Sequence, residues 1–220
     1  MTDLPAFLQS LIVVFLYFLE EFPTFLTFFP HFAILIKNSL RGTVMRICVY
    51  GSASDEIDSH YLAGGEALGK EMARRGHSLV FGGGAKGMMG AVARGARDAG
   101  GEIIGVAPGF FPDGALFPDC TSFYKTETMR ERKQTMEDIS SAFIVTPGGI
   151  GTLEEFFEIY TLRHLGRTDK TIALYNICGV FDPLLALLRG LCRDGFLPEP
   201  DLSLLLVSDS VGELLDLLEK

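Results

Sequence analysis

An α/β fold built on a Rossmann-like, doubly wound parallel sheet is predicted for this chain by three observations. From residue 45 onward, short apolar runs rich in β-branched residues alternate with segments of helical periodicity. Three of those runs end directly in glycine-bearing turns, Gly51-Ser52-Ala53-Ser54, Gly82 to Gly90 and Gly148-Gly149-Ile150-Gly151. With 220 residues, 48% of them hydrophobic, the chain is long enough for one ordinary domain and an appendage.

The elements follow in order. Arg46–Tyr50 reads as the opening strand. A helix is predicted over Ser59–Arg75, with Leu62, Ala63, Ala67, Leu68 and Met72 on one face and Gly76 as its stop. Ser78–Phe81 is the second strand; after Gly90 a helix of small residues runs to Gly100. Glu102–Ala107 is the third strand, ended by Pro108-Gly109, and a short strand is placed near Thr121–Tyr124. A charged helix, Thr128–Ser140, precedes the apolar strand Ala142–Thr146. Beyond the turn, Phe156, Phe157, Ile159, Tyr160 and Leu165 recur at helical spacing. Thr171–Asn176, Pro183–Arg193, Leu204–Val207 and Val211–Leu218 complete the alternation, which implies βαβ units and helices on both faces of a parallel sheet.

Residues 1–44 form a hydrophobic extension unlike the domain assigned to 45–220. They hold eight of the eighteen phenylalanines and only five charges, Asp3, Glu20, Glu21, Lys37 and Arg41. Neither apolar run, Leu11–Leu19 or Phe25–Ile36, reaches the roughly 20 residues of a spanning helix. Asp3 and the lack of a basic n-region argue against a signal peptide. Three readings stay open: translation starting at Met45, a membrane anchor or surface helix, and a true domain element. Membrane contact through 1–44 is the less favoured of the first two.

A net charge of −9 disfavours non-specific nucleic-acid binding, which relies on a basic surface. Cys48, Cys120, Cys178 and Cys192 show neither a C-x-x-C pair nor metal-ligand spacing, so no metal is expected and a reducing cytoplasm is the default. Cys48 and Cys178 lie in apolar runs and are expected in the core.

The third turn belongs to the nonapeptide Pro147-Gly148-Gly149-Ile150-Gly151-Thr152-Leu153-Glu154-Glu155. Its glycines let the backbone turn tightly and present N–H groups, and with the dipole of the following helix they make an anion site suited to a phosphate. The same residues also fit a capping box, with Thr152 at the N-cap and Glu155 reaching back to it. Met129-Arg130-Glu131-Arg132-Lys133 likewise has two readings, a solvated helix face or a source of cations for a phosphate or ribose. No G-x-G-x-x-G follows the first strand, no acidic residue ends the second, and no P-loop motif occurs, so dinucleotide oxidoreductases and P-loop NTPases are disfavoured.

Met-x-x-Arg-Lys at 129–133 followed by Pro-Gly-Gly-x-Gly-Thr-x-x-Glu at 147–155 resembles the LOG (lonely guy) family, the cytokinin riboside 5′-monophosphate phosphoribohydrolases, formerly labelled lysine decarboxylases. Gly51-Ser52, Gly82-Gly83-Gly84 to Gly90, Leu165-Gly166, Asn176 and Gly179 extend the likeness over essentially all of 45–220. The resemblance implies hydrolysis of the N-glycosidic bond of a purine nucleoside 5′-monophosphate, without a cofactor, by a cytoplasmic homodimer. It implies Arg132 and Glu155 as the catalytic pair. Lys133, Gly148, Gly149, Gly151, Thr152, Glu154 and Thr161 would bind substrate, and Gly83 and Gly84 would line the ribose phosphate pocket. The chain departs from the family pattern at Arg130, Leu162, His164 and Val180-Phe181, which leaves isopentenyladenine, adenine and other purines open as the base. Of these, His164 is read as a structural or interface residue. Two rivals remain: a nucleotide sensor without turnover, and a pyridoxal-phosphate decarboxylase, which needs a Schiff-base lysine.

Overall fold

Seven strands form one parallel sheet in the computed structural model, which describes residues 44–220; the readings made for 1–43 lie outside the described residues. The elements are β1 (Arg46–Tyr50), α1 (Ser59–Arg75), β2 (Ser78–Phe81), α2 (Gly87–Asp98), β3 (Ile103–Pro108), β4 (Ser122–Thr126), α3 (Met129–Ile139) and β5 (Ala142–Val145). They continue with α4 (Ile150–His164), β6 (Thr171–Tyr175), α5 (Asp182–Arg193), β7 (Leu205–Ser208) and α6 (Val211–Leu218). The predicted alternation therefore holds element by element, with boundaries moved by a few residues at most.

The sheet order is β4-β3-β2-β1-β5-β6-β7. The chain builds outward from β1 to β4, then crosses back to lay β5 on the other side of β1, in the register Val49 to Ile144 and Tyr50 to Val145. This reversal is the topological switch point, and ligands bind open α/β sheets outside the strand C-termini at such a point. The β1 and β5 turns meet there, where Ser52 N–H donates to the Pro147 carbonyl at 3.1 Å.

Strand residues alternate between two cores, as period-two geometry requires. Ile47, Val49, Leu79 and Phe81 pack with Leu68, Met72, Val92 and Leu214 on the α1, α2 and α6 face. Cys48, Tyr50, Val80 and Val106 pack with Met136, Phe143, Phe156 and Ile159 on the face of α3 and α4. Cys48 is buried, as expected, but Cys178 is exposed. It follows the end of β6 in a short 3₁₀ turn, Ile177–Gly179, where its left-handed backbone (φ 54°) lifts it out of the apolar run.

Helices α1 and α2 pack almost backbone to backbone. A Cβ at Gly69 would lie 1.9 Å from the Val92 carbonyl oxygen, and one at Gly95 would lie 2.0 Å from that of Glu66. Gly95→Val is expected to force the pair apart and cost about 3 kcal/mol, read as a lowered melting temperature. An unchanged melt would show that the crossing yields freely.

Candidate active site

Two helices face each other across the switch point, and each presents its first turns. Helix α3 starts at a conventional cap: the Thr128 hydroxyl accepts from Glu131 N–H at 3.1 Å, and the Glu131 carboxylate accepts from Glu127 N–H at 2.8 Å. Thr152–Glu155 carries the same Thr-x-x-Glu spacing, which left a capping box open beside the phosphate-loop reading. The structure does not form that cap. Helix α4 begins three residues earlier than that cap would require, with Gly149 as its N-cap and no side-chain cap, so Thr152 lies inside the first turn.

Glu155, released from any capping role, reaches across to α3. Its Oε1 accepts from Arg132 Nη1 at 3.0 Å, and Arg132 Nε donates to the Val106 carbonyl at the end of β3, at 3.1 Å. The side chains of this pair are only 7% and 12% exposed. Burial pushes the Glu155 carboxyl above its ordinary value, and the Arg132 guanidinium opposes that rise. Lys133 sits beside the pair, bridging Glu154 at 2.5 Å and Glu158 at 2.6 Å. Its burial favours the neutral amine, yet those two carboxylates outweigh it and raise its pKa.

These groups line a cleft of about 370 Å³, walled by Gly51, Ser52, Ala53 and Ser54 of the β1 turn, by Met89 and Met129, and by Arg132, Lys133, Gly149, Gly151, Thr152, Glu154 and Glu155. Most of the expected site residues are thus brought together. The α4 N-terminus opens into the cleft with its first N–H groups uncapped, which suits an anion. The three glycines of the nonapeptide divide in role. A Cβ at Gly148 would meet Thr152 Oγ1 at 2.1 Å, whereas Gly149 and Gly151 have nothing within 4 Å. Gly148 is needed for packing; the other two leave room for a ligand. Gly151→Leu, a good helix former at an exposed position, should keep the melting temperature and raise KM by about tenfold or more, about 1.4 kcal/mol of lost binding. Unchanged KM would remove Gly151 from the site.

Gly83, Gly84 and Thr161 are placed elsewhere. The Cα of Gly83 faces the Phe123 ring, and Gly84 forms an antiparallel bridge with Leu116, so neither is part of the cleft wall. Thr161 is exposed further along α4 and donates to the Phe157 carbonyl at 2.6 Å. Ser52, Ser54 and Met89 were absent from the expected site. Their position directly after a predicted strand was the available signal for the two serines.

A second cavity of about 40 Å³, enough for one water, shares Lys133 and Glu155 with the cleft. Tyr50, Arg130, Gln134, Glu137, Glu158, Ile159 and Leu162 line it together with Lys133 and Glu155. Two of the departures from the family pattern, Arg130 and Leu162, therefore line this second cavity and not the cleft. His164 lines neither cavity and pairs with Asp201. Among the described residues, no group of three or more His, Cys, Asp and Glu is arranged to hold a metal, and no helix is long and apolar enough to cross a membrane.

A sequence-family model described as "possible lysine decarboxylase" matches residues 89–218. The chain is 42% identical over 170 residues to the cytokinin riboside 5′-monophosphate phosphoribohydrolase of Mycobacterium tuberculosis, a match covering 77% of this chain and 90% of that one. It is 35% identical over 181 residues to the Oryza sativa subsp. japonica enzyme of the same name, LOG, covering 82% and 75%. Among solved structures, the molybdenum cofactor carrier protein of Chlamydomonas reinhardtii superposes with a TM-score of 0.63 at 23% identity, covering 79% of this chain and 96% of that one. At that identity the likeness concerns the fold alone. Extended sequence identity and the matching family model together establish that the chain belongs to the LOG family of cytokinin riboside 5′-monophosphate phosphoribohydrolases.

Proposed function

We propose that the protein hydrolyses the N-glycosidic bond of a purine nucleoside 5′-monophosphate, releasing the free base and ribose 5-phosphate. The observation that carries this reading is the nearly buried Arg132–Glu155 pair, set in the wall of a cleft into which the uncapped α4 N-terminus opens. Cleavage of such a bond passes through an oxocarbenium-like state. Positive charge grows on the sugar as the electron pair of the C1′–N bond leaves with the base. Glu155 supplies the fixed negative charge that steadies it, and Arg132 holds that carboxylate in place. The N–H groups of Gly151 and Thr152, with the Ser52 and Ser54 hydroxyls, suit the 5′-phosphate, so binding far from the bond positions the sugar. Water then adds at C1′ as its hydroxyl, and the proton it gives up ends on the base nitrogen that left with the electron pair.

The test is incubation with AMP and with isopentenyladenosine monophosphate side by side, scored for free base and ribose 5-phosphate. Release from both makes the protein an AMP nucleosidase as well as a cytokinin-activating enzyme. Binding without release from either would favour the sensor reading. The pH profile adds a constraint. Glu155 acts as the anion, and burial raises its pKa, so kcat/KM should fall on the acid side at a pH above the ordinary glutamate range. An acid limb at or below that range would exclude Glu155 as the required anion.

Lysine decarboxylation, the activity in the family model's description, would call for pyridoxal phosphate here, and that chemistry does not fit these residues. A Schiff-base lysine must be available as a neutral amine. Lys133, among the described residues the only lysine lining either cavity, is clamped by two carboxylates and held as the ammonium.

The expected homodimer is proposed to form through α4. Ile150, Phe157 and Leu165 lie on one face of that helix and are 83%, 38% and 59% exposed, with Thr161 among them. Light scattering of Phe157→Glu should report a shift from dimer to monomer. The free cysteines and the nucleotide substrate support a cytoplasmic location.

A further inference from the structure

We propose that Gly82 is a positioning residue for the reaction, because its missing side chain is the seat of the Arg132 guanidinium. The proposal rests on the functional reading above for its effect on rate, though not for its geometry. Gly82 is buried immediately after β2. A Cβ built there would lie 1.8 Å from Arg132 Nη2 and 3.0 Å from Cζ, with Met89 Sδ behind it at 3.3 Å.

The far end of an arginine usually moves aside for a methyl group. Here it is tied at two other points, by Nε to the Val106 carbonyl and by Nη1 to Glu155, and the whole residue is 6% exposed. The guanidinium is thus fixed between the end of β3, the carboxylate of α4 and the bare backbone after β2. Gly82 is not among the glycines with positive φ, unlike Gly83 at 75°, so an alanine can adopt its backbone conformation. What position 82 requires is space for the cation. Without that space the guanidinium must leave Glu155, and the carboxylate loses both its orientation and its partner.

The experiment is a double-mutant cycle of Gly82→Ala with Arg132→Ala, read by melting temperature and by base release. Gly82→Ala alone is expected to lower kcat/KM by about 10²-fold, the usual consequence of displacing a catalytic group by about 1 Å, and to lower the melting temperature. In the Arg132→Ala background the same substitution should change neither quantity, because the methyl group now enters the space left by the guanidinium. Equal losses in both backgrounds, or a fully active Gly82→Ala enzyme, would overturn the proposal. Should Gly82→Ala fail to fold, recovery of folding in the double variant supports it. Failure of both to fold would place the requirement on something other than Arg132 and overturn it. If the wild-type protein releases no base, the functional reading fails while the melting cycle still tests the seat.

Discussion

Glu155→Gln lowers the rate of base release by about 10³-fold, roughly 4 kcal/mol of transition-state stabilisation, and leaves the protein folded at a lowered melting temperature, because the buried Arg132 cation keeps its hydrogen bond but loses its counter-charge. The amide keeps the shape of the carboxylate, and its oxygen can still accept from Arg132 Nη1, while Arg132 Nε retains the Val106 carbonyl. Only the negative charge is lost, and that charge matters most when the sugar becomes a cation. Steady-state kinetics with AMP and isopentenyladenosine monophosphate measure the loss, and the melting temperature checks the fold. The effect belongs in kcat more than in KM, because the ground-state sugar is neutral. A Glu155→Gln variant that melts early yet keeps its rate would reduce Glu155 to a structural residue.

Arg132→Ala is expected to damage both stability and rate. Removing one member of a buried ion pair leaves the other uncompensated, at a cost of about 3–5 kcal/mol. For a domain of this size that lowers the melting temperature on the order of 10 °C. The deficit depends on pH in a definite direction. Burial already raises the folded-state pKa of Glu155, and loss of the guanidinium raises it further. The penalty comes from the ionised carboxylate, so it is fully present above that raised pKa and is relieved as pH falls through it. Melting curves of wild type and Arg132→Ala should therefore converge on acidification. Adding Glu155→Gln to Arg132→Ala should recover part of the stability at neutral pH but none of the activity. If the two melting curves stay parallel across pH, the Glu155 charge is not what Arg132 compensates.

The contrast between the two Thr-x-x-Glu segments shows where local pattern stops being sufficient. Both Thr128-x-x-Glu131 and Thr152-x-x-Glu155 satisfy the spacing of a capping box, and only the first one forms a side-chain cap. Glu155 is diverted because α4 lies across from an arginine that β3 and α3 carry to the same point. Cys178 fails for a related reason: its neighbours are apolar, but β6 ends at Tyr175 and the turn carries the thiol out to solvent. Gly83 and Gly84 were expected at the pocket wall, while the neighbouring Gly82 is the one that meets a site residue. Nothing in a run of three glycines distinguishes among them, since the difference lies in what stands opposite each Cα.

The alternation of strands and helices, the three turns after strands and the motifs at 129–133 and 147–155 were legible from the chain alone. Each is a local property: period, turn chemistry and spacing act within a few residues. The tertiary structure alone decided that Arg132 and Glu155 meet and that Lys133 is held by two acids. It also decided that Gly149 and Gly151 face open space while Gly148 is packed. These depend on the β4-β3-β2-β1-β5-β6-β7 order, which brings the ends of β1, β2, β3 and β5 together from distant parts of the chain. Distances between side chains on separate elements are set by that packing, and local residue preferences do not encode them.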